Sequence, residues 1–572
     1  MLPRRVHDVL AALAAATVCV LGVVLLLRTE RGDLLQWFGG WHPRGSVAIG
    51  VDFAAGPFAA GMVALAGGLV LLALLYSWTY LTEAGGLVDA LMLICCGAMC
   101  GFALSGDLFN LFVWLELMGV AGFALTGFEV RNIGPLQGAV NFAITNTVGG
   151  FLVLIGIALL YARTGALNLA QVGVTLSHQP KGGLAIVALT LIVCGFFCKA
   201  AVVPFHLWLG DAYAVAPTPV CAIFAGVMTD IGLFGVARVF WTVYAGQFGS
   251  SQRAVGDALL WLGVATALLG GTMAFLQRHL KRMLADSVVC HIGIMLAGIG
   301  LLSSKGLAGA AAMLVTNGLL TAGLFLVVGV LVALLRSVDE LHLYGRGRAR
   351  PLLGILWGGA AVGLAGPPYL GVFLGHSLID DAASELHRRW LPPLLWLAGT
   401  LASAALLRAG ARIFLGFGAR DDPLLSPEME ERPPKRGTYL PPLAAVAAVA
   451  IVVGLFLDLL PGLEPRAVAA AARFRDHAAY AAFVLHGRPP ARLASLPFSL
   501  PHVAVLSLVE SSVALLLTVL LAVLGAARRV PSSLAPPVRA LKAVHSGVIG
   551  DYVMWLTVGT AVIGGVWAIT LR

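Results

Sequence analysis

A chain of 572 residues has room for several soluble domains, but 59% of its residues are hydrophobic and only 11% are charged, against roughly a quarter charged in ordinary globular chains. With a mean hydropathy of +0.93, it is not a cytosolic enzyme, a nucleic-acid binder or a disordered scaffold. The formal charge of +9 reads as a property of loops beside a membrane rather than as the sign of an acidic partner.

Apolar runs long enough to cross the hydrocarbon core, about 20 residues, recur from end to end. The first, 9–27, follows Arg4 and Arg5. It lacks a small-residue cleavage site, and Val18 before Cys19 does not suit a lipoprotein signal, so a spanning anchor is expected. An external loop, 28–57, containing Gly39-Gly40-Trp41 and Asp52, leads to runs at 58–81, 87–106, 108–128, 138–161 and 184–204. Further runs follow at 216–240, 258–276, 287–303, 306–335, 352–375 and 391–417. The charged, proline-rich stretch 418–439 reads as a cytoplasmic linker, and 440–460, 502–526 and 553–571 as C-terminal spans. Between these spans lies an external stretch, 461–500, with a surface helix expected near 465–485. The reading is an all-α polytopic membrane protein of about fifteen helices, divided into an anchor and loop (1–57), a transmembrane core (58–417), a linker (418–439) and a C-terminal part (440–572).

The Lys/Arg bias supplies the orientation in the cell membrane. With the N-terminus cytoplasmic, strict alternation puts four basic clusters on one side: Arg278, Lys281 and Arg282; Arg336, Arg346, Arg348 and Arg350; Arg420, Arg432, Lys435 and Arg436; and Arg528, Arg529, Arg539 and Lys542. The external stretch 461–500 is the exception, with Arg466, Arg473, Arg475, Arg488 and Arg492. The eight cysteines all fall in apolar stretches without metal-ligand spacing; they read as small packing residues, and neither a metal nor a cofactor is expected.

Ionisable residues at membrane depth are costly, so each is a functional candidate. Glu116 lies within Ser105–Glu116 (SGDLFNLFVWLE), Lys199 at the head of Lys199–His206 (KAAVVPFH), and Asp230 in the middle of its run. His291 lies early in 287–303, and His376 follows Gly366-Pro367-Pro368. Burial favours a neutral lysine and a nearby carboxylate favours a charged one, so a Glu–Lys pair at this depth can hold or release a proton as its separation changes. The alternative is a static ion pair bracing two helices. Pro204, Pro217 and Pro219 near Lys199, and Pro367-Pro368 before His376, predict two broken helices, each beside an ionisable side chain, as at many transporter sites.

At these residues the sequence resembles the antiporter-like subunits of Mrp-type cation/proton antiporters and respiratory complex I, with the Mrp D-type subunit the nearest likeness. The resemblance is carried by SGDLFNLFVWLE, by Gly138–Tyr161 (GAVNFAITNTVGGFLVLIGIALLY), by Gly165–Leu169 (GALNL), by Lys199–Val220 (KAAVVPFHLWLGDAYAVAPTPV), by Leu280–Gly293 (LKRMLADSVVCHIG) and by Gly366–Gly371 (GPPYLG). It covers about residues 35–420. It implies some fourteen helices, two inverted five-helix repeats, and membrane subunits as partners. It also implies proton or sodium translocation through Glu116 and Lys199 as the input pair, with His291 on a central axis and His206 and Asp211 as gate-lining groups.

The sequence departs from that pattern. Asp230 stands where the family has a lysine, Asn317 and Thr321 where it often has a histidine and a lysine, and His376 where a lysine or glutamate is expected. Two readings follow. Asp230, His291 and His376 form a different relay, histidine titrating near neutral pH and a carboxylate suiting a hard cation such as sodium; or the second half has lost conduction and the subunit is a scaffold. Arg238 shares a helix face with Asp230 but stands about 12 Å along the axis, too far to pair with it. No nucleotide loop or catalytic triad is present, so any redox chemistry of the assembly belongs to other subunits.

Overall fold

The computed structural model describes residues 4–45, 47–82, 85–128, 133–419, 431, 434, 440–488, 504–527 and 547–571. Among the described residues, 14 helices are long and apolar enough to cross a membrane, and a shorter apolar one spans Pro351–Leu364. Together they account for the fifteen expected runs. Most of the expected linker 418–439, the end of the stretch 461–500, and the basic residues Arg420, Arg432, Lys435, Arg436, Arg492, Arg528, Arg529, Arg539 and Lys542 lie outside the described residues.

The helices sort by burial. The spans Thr218–Phe248 and Leu280–Gly300 are enclosed by other helices along their apolar stretches, and Ser304–Leu335 nearly so. Arg4–Thr29, Val505–Ala527 and Ile549–Thr570 are mostly exposed and form the rim. Close crossings depend on glycine. A Cβ on Gly67 would stand 2.5 Å from the Cys19 amide nitrogen, so Cys19 belongs to the helix contact that its composition suggested. A Cβ on Gly318 would lie 2.2 Å from the Gly226 carbonyl oxygen, which brings the spans at the centre into backbone contact.

Both expected breaks are present. The helix Gly183–Ala200 stops one residue past Lys199, at Ala201 in the left-handed region (φ 53°), and a short helix, Leu207–Val215, precedes the restart at Thr218. The second break separates Pro351–Leu364 from Phe373–Glu385, with Gly366 at φ 67° before Pro367-Pro368. The 218–248 span also widens into π-turns at Phe224–Met228 and Phe240–Tyr244; Asp230 begins the α-helical segment between them. Such wide turns are frequent at functional sites.

Three expectations change. The loop 28–57, expected to be external, contains a small antiparallel sheet, Leu34–Trp37 with Asp52–Ala55, anchored to the core by the Gly106 N–H donating to the Asp52 carbonyl (3.0 Å). The surface helix becomes two, Leu463–Arg475 and His477–His486, split at Asp476, whose carboxylate accepts from the Ala479 N–H (2.9 Å) as an N-cap. The basic cluster at 278–282 is not a set of solvated loop charges. The helix begins at Leu280, earlier than the run at 287, so Lys281 is buried in its first turn and all three residues meet carboxylates: Arg278 with Asp339, Lys281 with Glu431, Arg282 with Asp211.

Gly318→Val should separate the two central spans. We expect a loss of about 1–3 kcal/mol from overpacking, seen as a lower unfolding temperature of the detergent-solubilised protein; an unchanged midpoint contradicts this packing.

Candidate functional site

Asp107 begins the site by capping the helix Leu108–Thr126: its carboxylate accepts from the Asn110 N–H at 2.9 Å. Glu116, on this helix, lies against the long helix Ile133–Thr164, where Gly150 leaves room for its carboxylate; a Cβ there would lie 1.8 Å from Glu116 Oε1. Glu116 and Lys199 line one cavity of about 10 Å³ with Asn146, Phe123, Leu115, Gly119 and Gly195, a space about the size of one water. Lys199 is buried, its ammonium lies 5.4 Å from the centre of the Phe142 ring, and Nζ has no protein hydrogen-bond partner. The two residues therefore share a compartment without being locked together by a direct salt bridge.

The other predicted groups lie in two further sets. Asp230 is fully buried near Tyr213, and neither carboxylate oxygen has a hydrogen-bond partner. On the facing helix, the Thr321 hydroxyl donates to Asn317 Oδ1 (3.3 Å), leaving Asn317 Nδ2 unpartnered. His291 is held by Nδ1 against the Ser287 carbonyl oxygen (2.8 Å), beside the backbone of Leu364 at the second break. His376 lies near His291 and stacks on Trp396 at 4.2 Å between centroids, with Nδ1 unpartnered. The fold thus brings Glu116 to Lys199 and His291 to His376.

Asp211 forms a clamp at the first break. Arg282 Nη1 donates to it at 2.7 Å, the Tyr552 hydroxyl at 2.5 Å and Asn141 Nδ2 at 3.2 Å. His206, buried, immediately precedes the helix Leu207–Val215. Arg238 stands apart from Asp230, as the helix geometry required: it donates to the Tyr480 hydroxyl (3.2 Å) and its guanidinium lies over the Phe474 and Tyr480 rings. Both helix restarts are met by distant carboxylates, Thr218 N–H by Glu431 Oε1 (2.8 Å) and Leu374 N–H by Asp458 Oδ2 (3.0 Å). Each satisfies an orphan donor at a helix start.

Several buried ionisable groups were missed in the sequence. Asp380 accepts from Trp396 Nε1 (2.9 Å), stands close enough to Glu510 for their charges to interact, and links the His376 ring to the C-terminal helices. Glu340 binds Arg408 and Arg412 in a buried cluster. Asp458 and Glu510 are single charges inside apolar runs, the same signal that identified Glu116; Asp286, just ahead of the run at 287, and Lys281 and Glu431 gave no such signal. Among the described residues, one group has atoms close enough to share a metal, His7, Asp8 and Asp89, and His7 Nδ1 already lies 3.0 Å from Asp89 Oδ2.

Near Arg238, the strand Asp52–Ala55 buries Asp52, whose Oδ1 accepts from Asn168 Nδ2 at 2.8 Å. Burial pushes the Asp52 carboxyl up to about 7; Arg238 opposes the rise and Asp107 adds to it. Because the folded-state value lies above the unfolded one, the stability this group contributes is complete below about pH 4 and is lost as pH rises through about 7. Asp52→Asn, which keeps an acceptor for Asn168, should be more stable than the parent at pH 8 by up to about 4 kcal/mol and equal to it near pH 4. Thermal unfolding at both pH values checks this, and an equal gap at both contradicts it.

Residues 105–403 match the family described as NADH:quinone oxidoreductase/Mrp antiporter, TM. NADH-quinone oxidoreductase subunit N of Desulforudis audaxviator (strain MP104C) is 33% identical over 371 residues, 63% of this chain and 72% of that one. The D-type Na(+)/H(+) antiporter subunit of Bacillus subtilis (strain 168) is 26% identical over 408 residues, covering 71% and 81%. In fold, a chain of the Mrp complex from Dietzia sp. DQ12-45-1b superposes with a TM-score of 0.71 over 84% of this chain and 95% of its own, at 23% identity. A chain of respiratory complex I from Thermus thermophilus gives 0.65 over 83% and 96%, at 21% identity. The relatives include both complex-I-type and Mrp-type subunits, and this chain belongs to the NADH:quinone oxidoreductase/Mrp antiporter transmembrane family.

Proposed function

We infer that this chain is an ion-translocating subunit of a multi-subunit assembly in the cell membrane, moving protons, with sodium as the candidate counter-ion. The observation that carries this reading is the shared cavity of Glu116 and Lys199. A static brace would close the pair into a direct, fully hydrogen-bonded salt bridge, because a buried ion pair is costly unless its remaining donors and acceptors are matched. Lys199 Nζ instead has no protein partner, so a proton or a water passing between the two groups has a site beside each. The break after Ala200 lets the Lys199 helix end move against the Glu116 helix.

Onward transfer runs through side chains with unmatched polar atoms: Asp230, Asn317 and His376. Buried polar groups are nearly always partnered in folded proteins, so these atoms mark where a translocated species or its water is accommodated. Asp230 in place of a lysine supplies oxygen ligands to this axis, which suits a hard cation. The scaffold reading has one observation in its favour: Asn317 and Thr321 bond to each other, which shortens the polar surface they offer to the path. The basic bias of the loops supports a cytoplasmic N-terminus, with neighbouring membrane subunits as partners. Redox chemistry, where the assembly has any, is supplied by those partners.

Glu116→Gln and Lys199→Ala should each reduce ion-driven pH change in membrane vesicles to below about a tenth of the parent rate, the usual scale for removing a proton-transfer group, while the chain still assembles with its partners. Unchanged transport in both variants, with the assembly intact, returns the chain to the scaffold reading.

A further inference from the structure

Polar groups around the first break are of two kinds. Lys199 and Asp230 keep polar atoms with no protein partner. At the start of the Thr218–Phe248 span, by contrast, a single carboxylate is completely matched. Glu431 Oε1 accepts from the Thr218 N–H (2.8 Å) and the Tyr80 hydroxyl (2.9 Å); Oε2 accepts from the Thr218 hydroxyl (2.7 Å) and Lys281 Nζ (2.9 Å). Four accepted bonds fill the capacity of a carboxylate. Lys281 also donates to the Ala216 carbonyl oxygen (2.6 Å), so it holds the entering chain as well as the acid.

The position of this node gives it a consequence. It joins three helices, ending at Tyr80 and beginning at Thr218 and Leu280, to the 201–217 segment that follows Lys199. The next residue, Arg282, holds Asp211 on that segment at 2.7 Å. Two adjacent basic residues therefore grip the later part of the break, at Asp211 and at Ala216–Thr218, through two carboxylates. Glu431 and Lys281 are both buried, and separating them would leave an uncompensated charge in a low-dielectric setting, so the segment is held in one position while Glu431 is seated. Glu431 lies 150 residues from Lys281 in the chain and outside the region that matches the family.

We propose that Glu431 is a latch: seated on Thr218, Tyr80 and Lys281, it keeps this end of the path closed, and its release frees the break and admits solvent to the start of the 218–248 span. The proposal rests on the conduction reading above only for its purpose; the closure can be measured without transport. Cys221, one turn past Thr218, is fully buried, with Sγ against the carbonyl oxygens of Tyr213 and Ala216 at 3.3 Å each, and reports on opening.

The experiment uses the full-length chain in membrane vesicles, with the other seven cysteines replaced by alanine, and follows modification of Cys221 by N-ethylmaleimide. In that parent the reaction is slow. Glu431→Gln should accelerate it by about tenfold or more, the scale of losing a charge-assisted hydrogen bond, and Tyr80→Phe, which removes one neutral donor, by about threefold. Glu116→Gln should leave the labelling rate unchanged. Labelling of Glu431→Gln as slow as in the parent overturns the latch. If that variant does not accumulate, Tyr80→Phe decides, and an unchanged rate there overturns it. A loss of transport in Glu116→Gln or its absence bears on conduction alone, so the two readings fail separately.

Discussion

Charge is expensive where there is no water, and the architecture follows from how this chain meets that cost. A buried ion needs a partner, matched hydrogen bonds, or a route to solvent. The helices at the rim are largely exposed and carry most of their charges near their ends, at Arg4, Arg5, Asp8, Arg28 and Asp551. The enclosed spans at the centre, Thr218–Phe248, Leu280–Gly300 and Ser304–Leu335, carry Asp230, Lys281, Asp286 and His291, all buried, and the first of them packs against the end of the Lys199 helix at Gly232. Glycine-mediated contacts such as Gly226 with Gly318 bring these spans close enough that a side chain on one is shielded by the backbone of the next.

Two solutions to the same cost coexist within one break. Glu431 is saturated with donors from Thr218, Tyr80 and Lys281, and Asp211 accepts from Arg282, Tyr552 and Asn141. Lys199 and Asp230 retain unmatched atoms. A saturated node resists displacement, because moving it exposes a buried charge. An unsaturated one has capacity for a transient ligand. This contrast separates the groups that hold the helices from the groups suited to pass an ion between them, a distinction that residue type alone does not make.

The second break repeats the pattern with different chemistry. Asp458 caps Leu374 as Glu431 caps Thr218, and the carboxylates of Asp380 and Glu510 continue the line from His376 toward the C-terminal helices. Where other family members are expected to use lysines, this chain uses histidine and aspartate. The aspartate supplies oxygen donors suited to hard cations.

The sequence by itself determined the membrane class, the spans, both helix breaks and the candidates Glu116, Lys199, Asp230, His291 and His376. Each follows from a local rule: a window of apolar residues, a proline pair, a lone charge where charge is costly. The same rule reaches Asp458 and Glu510 once applied to every run. Only the tertiary structure decided which of these groups meet. Lys281 lies in a basic cluster that reads as loop charge, and Glu431 in a proline-rich linker that reads as solvated; their burial against each other depends on a contact across 150 residues. Glu116 and Lys199 are likewise 83 positions apart in the numbering, and their shared cavity exists because Gly150 and Gly195 leave space between helices. Local pattern specifies what a segment is. What it faces is set by packing among segments distant in the chain, and the state of a buried charge depends on what it faces.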